Sequence, residues 1–347
     1  MARHRRKKRK SAAKRFASFL MAIVLVAAVI GGGGILYMKS KIDKLSHVDI
    51  DTSSLAAGDS LDNYRNIVIL GVDTRDMSRY EGSRTDSIII VSLNKKTNEL
   101  NLISVYRDSF LDIEEVGLDK VTHAFAYGGP ERTINTLNRN LDLNITEFAA
   151  LNFRTVQKVV DDVGGIDVDI AEDEISQMNY YLPGTAKYLG CSYEPIEKAG
   201  IQHLDGVQAV TYSRIRHTEG GDYKRTERMR TVLTAVFEQA KTMSISELNA
   251  LMDDVMPEVS TNMTTKDILP LMLRLPRMDI KGSTGWPYDK EGYVSPYSGV
   301  WYAAPVTLES NVERLHREMF GEEGYKAPDS VKTISGNISY TTGYYGN

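Results

Sequence analysis

Three short apolar runs constrain this chain more than any other feature. Asn66-Ile67-Val68-Ile69-Leu70-Gly71-Val72, Ser87-Ile88-Ile89-Ile90-Val91-Ser92-Leu93 and Leu100-Asn101-Leu102-Ile103-Ser104-Val105 each have the length of a strand and little polar alternation. A strand with one face in water alternates apolar and polar residues, whereas these read as strands buried on both faces. The turn-rich Asn94-Lys95-Lys96-Thr97-Asn98 joins the second and third into a hairpin. With the first strand antiparallel to the second, Asp73, Arg84, Asp86, Arg107 and Asp108 all fall at one sheet edge. Any one of them is explained by loops being polar. As a set they suit a pyrophosphate with Mg²⁺, because that ion needs only one or two carboxylates beside phosphate oxygens.

A second feature is the basic stretch Ser213-Arg214-Ile215-Arg216-His217-Thr218-Glu219-Gly220-Gly221-Asp222-Tyr223-Lys224-Arg225-Thr226-Glu227-Arg228-Met229-Arg230. Two arginines in alternating phase precede a Gly-Gly loop, Asp222 is placed to cap a helix, and Arg225 and Arg228 lie one turn apart on one face. A guanidinium holds phosphate through a planar fork of donors. A cluster spanning a strand end, a loop and a helix start therefore suits a pyrophosphate better than a single carboxylate. The plainer reading is a solvated basic helix paired with Glu219, Asp222 and Glu227.

Lys120 through Pro130 leads into a helix over 131–140, with Pro130 suited to its first position. Lys120 is either an ordinary surface lysine or a further charge for the same anion. His123 has no second His or Cys at ligand spacing and reads as an interior histidine. A strand over 147–153 and a helix over 154–163, with Val156, Val159, Val160 and Val163 inward, precede an alternating strand over 166–170. Residues 172–200 show no period and predict a long loop of the kind that serves as a lid or partner surface. Residues 201–212 have a helical period. Helices over 225–243, 246–255 and 265–275, strands at Trp286 and Trp301, a helix over 309–320 and a disordered tail at 323–347 complete the reading.

Residues 16–38 form a stretch of 23 without a charged side chain, long enough for a helix to cross a hydrocarbon core of about 30 Å. The nine Lys and Arg among residues 1–15 would be held inside the cell, which sends everything after Met38 outside. The expected organisation is a basic cytoplasmic tail at 1–15, a transmembrane helix at 16–38, an extracytoplasmic spacer at 39–62 and a catalytic domain at 63–322. The protein is then a single-pass cell-membrane protein with an extracellular body. A cleaved signal peptide usually has a shorter apolar core. From residue 16 on, 33 basic face 46 acidic side chains, a balance that argues against nucleic acid as a partner. The single cysteine, Cys191, cannot form an intrachain disulfide, and an external body without disulfides fits a bacterial surface.

Taken together, these residues resemble the LytR-CpsA-Psr family of membrane-anchored bacterial envelope proteins. The resemblance runs in order through Ile69-Leu70-Gly71-Val72-Asp73-Thr74-Arg75, Ser83-Arg84-Thr85-Asp86-Ser87, Ser104-Val105-Tyr106-Arg107-Asp108, Lys120 to Gly129, Val163-Gly164-Gly165-Ile166, Leu204-Asp205-Gly206 with Ser213-Arg214-Ile215-Arg216, and Gly221-Asp222-Tyr223 to Arg228. It implies an α/β fold, an α-β-α sandwich with a mixed central sheet flanked by helices. It also implies transfer of a phosphate-linked glycopolymer, such as wall teichoic acid or capsule, from an undecaprenyl pyrophosphate carrier to peptidoglycan of a Gram-positive envelope.

By this resemblance Asp73 and Asp86 hold Mg²⁺, which Mn²⁺ can replace. Arg84, Arg107, Lys120, Arg214, Arg216, Arg225 and Arg228 surround the pyrophosphate, and Arg107, Arg214, Arg216, Asp222 and Arg225 form the catalytic group. Asp222 is either the base for the attacking sugar hydroxyl or a brace for Arg225. An apolar tunnel for the polyprenyl chain is implied between the sheet and the helices over 154–163 and 225–243. Two positions depart from the family: Tyr106 stands where Pro is usual and Met229 where Gln is usual. Two other readings use the same residues, a pyrophosphatase with water as the attacking group and a non-catalytic wall-polymer binding protein. A transcriptional regulator ranks last, since about fifteen internal residues leave no room for a DNA-reading fold.

Overall fold

The computed structural model describes residues 46–346 except 54, 57, 59–60, 75 and 78–81. The expected tail, transmembrane helix and first part of the spacer lie outside these residues. Among the described residues no helix is long and apolar enough to cross a membrane.

In chain order the first elements are β1 (Ser46–His47), β2 (Tyr64–Val72), β3 (Thr85–Asn94), β4 (Glu99–Val105), β5 (Phe110–Ile113) and β6 (Gly117–Lys120). Next come α1 (Val121–Leu141), β7 (Glu147–Leu151), α2 (Phe153–Asp162), β8 (Ile166–Ile170), α3 (Glu172–Leu189), β9 (Gly200–Leu204), α4 (Gly206–Tyr212) and α5 (Gly221–Thr242). The chain continues through α6 (Ile245–Val255), β10 (Ser260–Thr261), α7 (Thr265–Arg274) and β11 (Asp279–Trp286). It ends with β12 (Lys290–Val294), β13 (Trp301–Pro305), α8 (Leu308–Phe320) and α9 (Asp329–Thr342).

The three apolar runs are β2, β3 and β4 of a mixed sheet with strand order β1-β10-β7-β2-β3-β4-β11. β3 is antiparallel to both β2 and β4, as expected, while β7 and β11 add parallel to β2 and β4. Residues two apart share a face. Val68 and Leu70 therefore join Ile88, Ile90 and Ile103 against Phe125 and Leu137 of α1, Val312 of α8 and Ile338 of α9 in the larger core. Ile69, Gly71, Ser87 and Ile89 turn to the other face, toward α2 and α5. A second core holds the antiparallel β8–β9 pair against α2 to α5 through Val160, Val168, Met178, Leu204 and Ile215. The strand ends meet at one edge, where the Asp73 amide donates to the Arg84 carbonyl at 3.0 Å.

Several expectations are corrected. The spacer at 39–62 is partly folded into the domain: β1 pairs with β10, and Leu61 is buried. The helix expected over 131–140 starts at Val121 and is broken at Gly128 and Gly129, after which Pro130 opens its second half. The loop expected over 172–200 is helical from Glu172 to Leu189. Met178, Leu182, Ala186 and Leu189 are its buried stripe, and Pro183 and Gly184 obscure the period. Residues 201–212 divide into β9 and α4, with Asp205 capping the helix by accepting from the Gln208 amide. The arginines at 214 and 216 consequently follow a helix end, with no strand before them. The tail expected to be disordered contains α9, whose Val331, Ile334 and Ile338 are buried. Its Ser, Thr and Gly content hides an apolar stripe at helical spacing.

Candidate active site

The β2–β3 edge, the end of β4 and the first turns of α5 converge on one cluster. Gly220 and Gly221 adopt φ of 87° and 52°, a left-handed turn that glycine tolerates without strain. This turn directs Asp222 and Arg225 toward the sheet edge. Arg107 donates to Asp86 at 2.6 Å, lies 3.4 Å from Asp108, and has its Nε 3.7 Å from Asp222. Arg225 sits 3.0 Å from Asp222 and 3.7 Å from Asp86 with only 3% of its side chain exposed. Arg216 completes the ring at 3.9 Å from Asp86 and 3.7 Å from Asp222. Lys120, at the start of α1, donates to Asp108 at 2.7 Å.

Burial lowers the Arg225 guanidinium below its ordinary value, against the pull of Asp222, and its Nε is buried with no hydrogen-bond partner among the described residues. Burial acts in the same direction on Arg107, but Asp86, Asp108 and Asp222 together hold it above its ordinary value. In such a cluster, carboxylates bridge guanidinium forks at positions that phosphate oxygens can take.

Arg214 lies nearby without a carboxylate among the described residues. It donates to Thr185 Oγ1 at 3.0 Å and stacks over Phe153 at 5.2 Å. Arg84 is exposed and makes no salt bridge among the described residues. Arg228 is the clear correction. Although it shares a helix with Arg225, it is buried and its nitrogens go to Glu174, the Ile215 carbonyl and Thr218. Asp222 bonds Arg225, which is the bracing contact of its two readings. His123, expected in the interior, is half-buried and pairs with Asp119 at 2.9 Å.

Asp73 is exposed and Asp86 is half-buried, and both line the mouth of one cavity. Among the described residues no group of three or more metal-ligating side chains occurs. Two hard oxygen donors beside a phosphate-binding cluster nonetheless fit Mg²⁺, which keeps most of its shell for water and substrate oxygens.

The cavity encloses about 860 Å³ of empty space, its open mouth included. It runs between the sheet and helices α2 and α5, lined by Ile69, Ile89, Val156, Val159, Val232 and Val236 beneath a polar rim. Met229, which stands where the resemblance leads one to expect glutamine, lines it as well and extends the apolar wall. Two features escaped the sequence reading. Asp108 entered it only as an edge residue, though it bridges Arg107 and Lys120. The aromatic pair Tyr106–Tyr223, with ring centres 4.6 Å apart beside Lys290, carried no local signal because β12 is remote in sequence. Burial pushes the Tyr223 phenol up to about 12.

Residues 35–304 match the LytR_cpsA_psr family. The chain belongs to the LytR-CpsA-Psr family. One family relative is polyisoprenyl-teichoic acid–peptidoglycan teichoic acid transferase TagT of Bacillus subtilis (strain 168), 27% identical over 234 residues, 65% of this chain and 70% of TagT. The corresponding TagU of Enterococcus faecalis (strain ATCC 700802 / V583) is 29% identical over 211 residues, 60% of this chain and 64% of TagU. The structure of the LytR-CPS2A-psr family protein YwtF (TagT) with bound octaprenyl pyrophosphate lipid has the same fold. The likeness has a TM-score of 0.53 at 20% identity, over 85% of this chain and 94% of that one.

Proposed function

We propose that this LytR-CpsA-Psr protein transfers a phosphate-linked glycopolymer from a polyprenyl pyrophosphate carrier to peptidoglycan. The observation that carries the reading is the junction of an apolar cavity with a cluster of guanidinium groups. The first suits a hydrocarbon tail and the second the pyrophosphate at its end. Kinship with named teichoic acid transferases supports it, as does likeness to a fold that holds octaprenyl pyrophosphate in YwtF.

In such a transfer the acceptor hydroxyl oxygen bonds to the sugar-bearing phosphorus, the bridging P–O bond breaks and the lipid monophosphate leaves. The hydroxyl proton passes to a carboxylate or to water. Arg107, Arg216 and Arg225 exchange carboxylate oxygens for phosphate oxygens and stabilise the charge that builds on them. Lys120 and Arg214 add charge at the rim, and Asp222 keeps Arg225 aimed. Asp73 and Asp86 would hold Mg²⁺, or Mn²⁺ in its place, which when bound neutralises phosphate charge. Residues 16–38 would anchor the body outside the cell membrane, with residues 1–15 in the cytoplasm.

The test is to incubate the full chain with a lipid pyrophosphate-linked saccharide, peptidoglycan fragments and Mg²⁺, and to identify products by mass spectrometry. A phosphodiester-linked conjugate is expected. Free phosphosaccharide alone would replace the transferase with a pyrophosphatase, and unchanged bound lipid would indicate a binding protein.

A further inference from the structure

Helix α5 divides two surroundings. Met229, Val232 and Val236 face the apolar cavity, whereas Glu227 and Arg230 line a separate groove. At about 100° per residue Tyr223 falls on that second side, away from the cavity. There Lys290 Nζ lies 4.7 Å from the ring centre of Tyr223 and 4.9 Å from that of Tyr106. Tyr106 directly precedes Arg107 and Tyr223 directly follows Asp222, so Lys290 flanks the catalytic cluster. Lys290 makes no salt bridge among the described residues, and its contact with the Tyr288 carbonyl is long, at 3.4 Å.

From Lys290 the β12–β13 hairpin leads outward. Lys290, Gly292 and Val294 share one face, and Val294 pairs with Trp301, which places the indole on the same face. Trp301 leans over the bare Gly292, where a Cβ would stand 2.7 Å from its Nε1. The opposite face, with Tyr293, Tyr302 and Ala304, packs on the main core. Ala303 on this face is buried, but toward the turn the face opens to solvent: Trp301 is 42% exposed, Val294 55%, and Tyr297 at the turn 98%. Exposed aromatic and apolar side chains in a row mark a binding surface, and aromatic faces accept the C–H faces of sugar rings while their polar edges stay wet.

We propose that this face of the hairpin is the acceptor subsite: the sugar rings of a peptidoglycan glycan strand lie on Trp301 and pass Lys290, bringing a hydroxyl to Arg107 and Asp222. The inference rests on the transferase reading above. The lipid-linked donor enters by the cavity, which leaves the aromatic flank to the second substrate. Continuity with the guanidinium cluster selects a reactant, and uncharged rings suit a surface whose cation, Lys290, lies over two aromatic rings and has no salt bridge among the described residues.

The chain has two tryptophans, Trp286 fully buried and Trp301 exposed, so intrinsic fluorescence reports on this face. Titration of the full chain with soluble glycan oligosaccharides should give a saturable change, carried by Trp301. By calorimetry Trp301→Ala should bind the oligosaccharides about tenfold more weakly, with Trp301→Phe recovering most of the loss. In the transfer assay Trp301→Ala and Lys290→Met should raise acceptor KM about tenfold, with donor KM moving far less. Equal glycan affinity in wild type and Trp301→Ala overturns the subsite. So does Trp301-dependent binding to anionic lipid vesicles with no response to glycan. Trp301-dependent glycan binding without any conjugate formed by wild type would remove the transferase reading and leave the subsite standing.

Discussion

Arg228 and Glu174 form an ion pair at 2.7 Å with 2% and 4% of their side chains exposed. The remaining guanidinium nitrogens of Arg228 donate to the Ile215 carbonyl and Thr218, pinning the loop that carries Arg216. Removing one partner leaves a buried charge alone, which costs about 3–5 kcal/mol. Arg228→Ala and Glu174→Ala should each lose that much stability in urea unfolding, and Arg228→Met with Glu174→Leu should recover most of it. A fully stable Arg228→Ala without transfer activity would return Arg228 to the phosphate site.

Arg107→Ala should lower transfer by about 10³-fold with little change in melting temperature, the scale seen when a charge-stabilising donor is lost. The fold survives because Asp86 and Asp222 keep Arg216 and Arg225 as neighbours. Arg107→Lys should recover little, since an ammonium lacks the fork. Rates in the conjugate assay and circular dichroism melts check both halves.

Asp73 is the more open of the two carboxylates at the cavity mouth. Asp73→Asn should flatten the Mg²⁺ dependence of transfer. A metal titration identical to wild type removes Asp73 from the proposed metal set.

The Asp167 carboxylate bonds His203 at 2.8 Å and, with the Gly164 carbonyl, holds it above its ordinary 6.5 against the opposing effect of burial. A raised folded-state value stabilises the protonated form. The contribution is therefore complete below about 6.5 and is lost as pH rises through the folded value. Both side chains are more than half exposed, so the effect on global stability is small. The His203 ring proton in NMR should titrate above 6.5, and Asp167→Asn should bring it back. An unshifted midpoint in wild type would sever the pairing.

Ile338 is fully buried in the main core. Ile338→Ala should cost about 2–5 kcal/mol, as for other buried aliphatic truncations. No change in the melt would mean that α9 does not stabilise the domain.

Much of the fold was legible because its signals are local. Unbroken Ile, Val and Leu runs demand burial on both faces whatever surrounds them, and they form the strands of the sheet. The hairpin turn and the antiparallel first strand then gather Asp86 and Arg107 without further information. α3 and α9 were illegible because Pro183 with Gly184, and a Ser- and Thr-rich composition, blur a period that packing nevertheless satisfies.

By itself the sequence determined which residue types were available at the site: arginines at a helix start, carboxylates at strand ends and an apolar stretch ahead of the body. The tertiary structure alone decided their partners. Arg225 and Arg228 stand three residues apart and look alike in any helical projection. Yet Arg225 meets Asp86 and Asp222, while α3 brings Glu174 from 54 positions away to bury Arg228. Helical period sets the direction of a side chain, but the energy of a charge depends on which distant carboxylate and how much water remain within reach after folding.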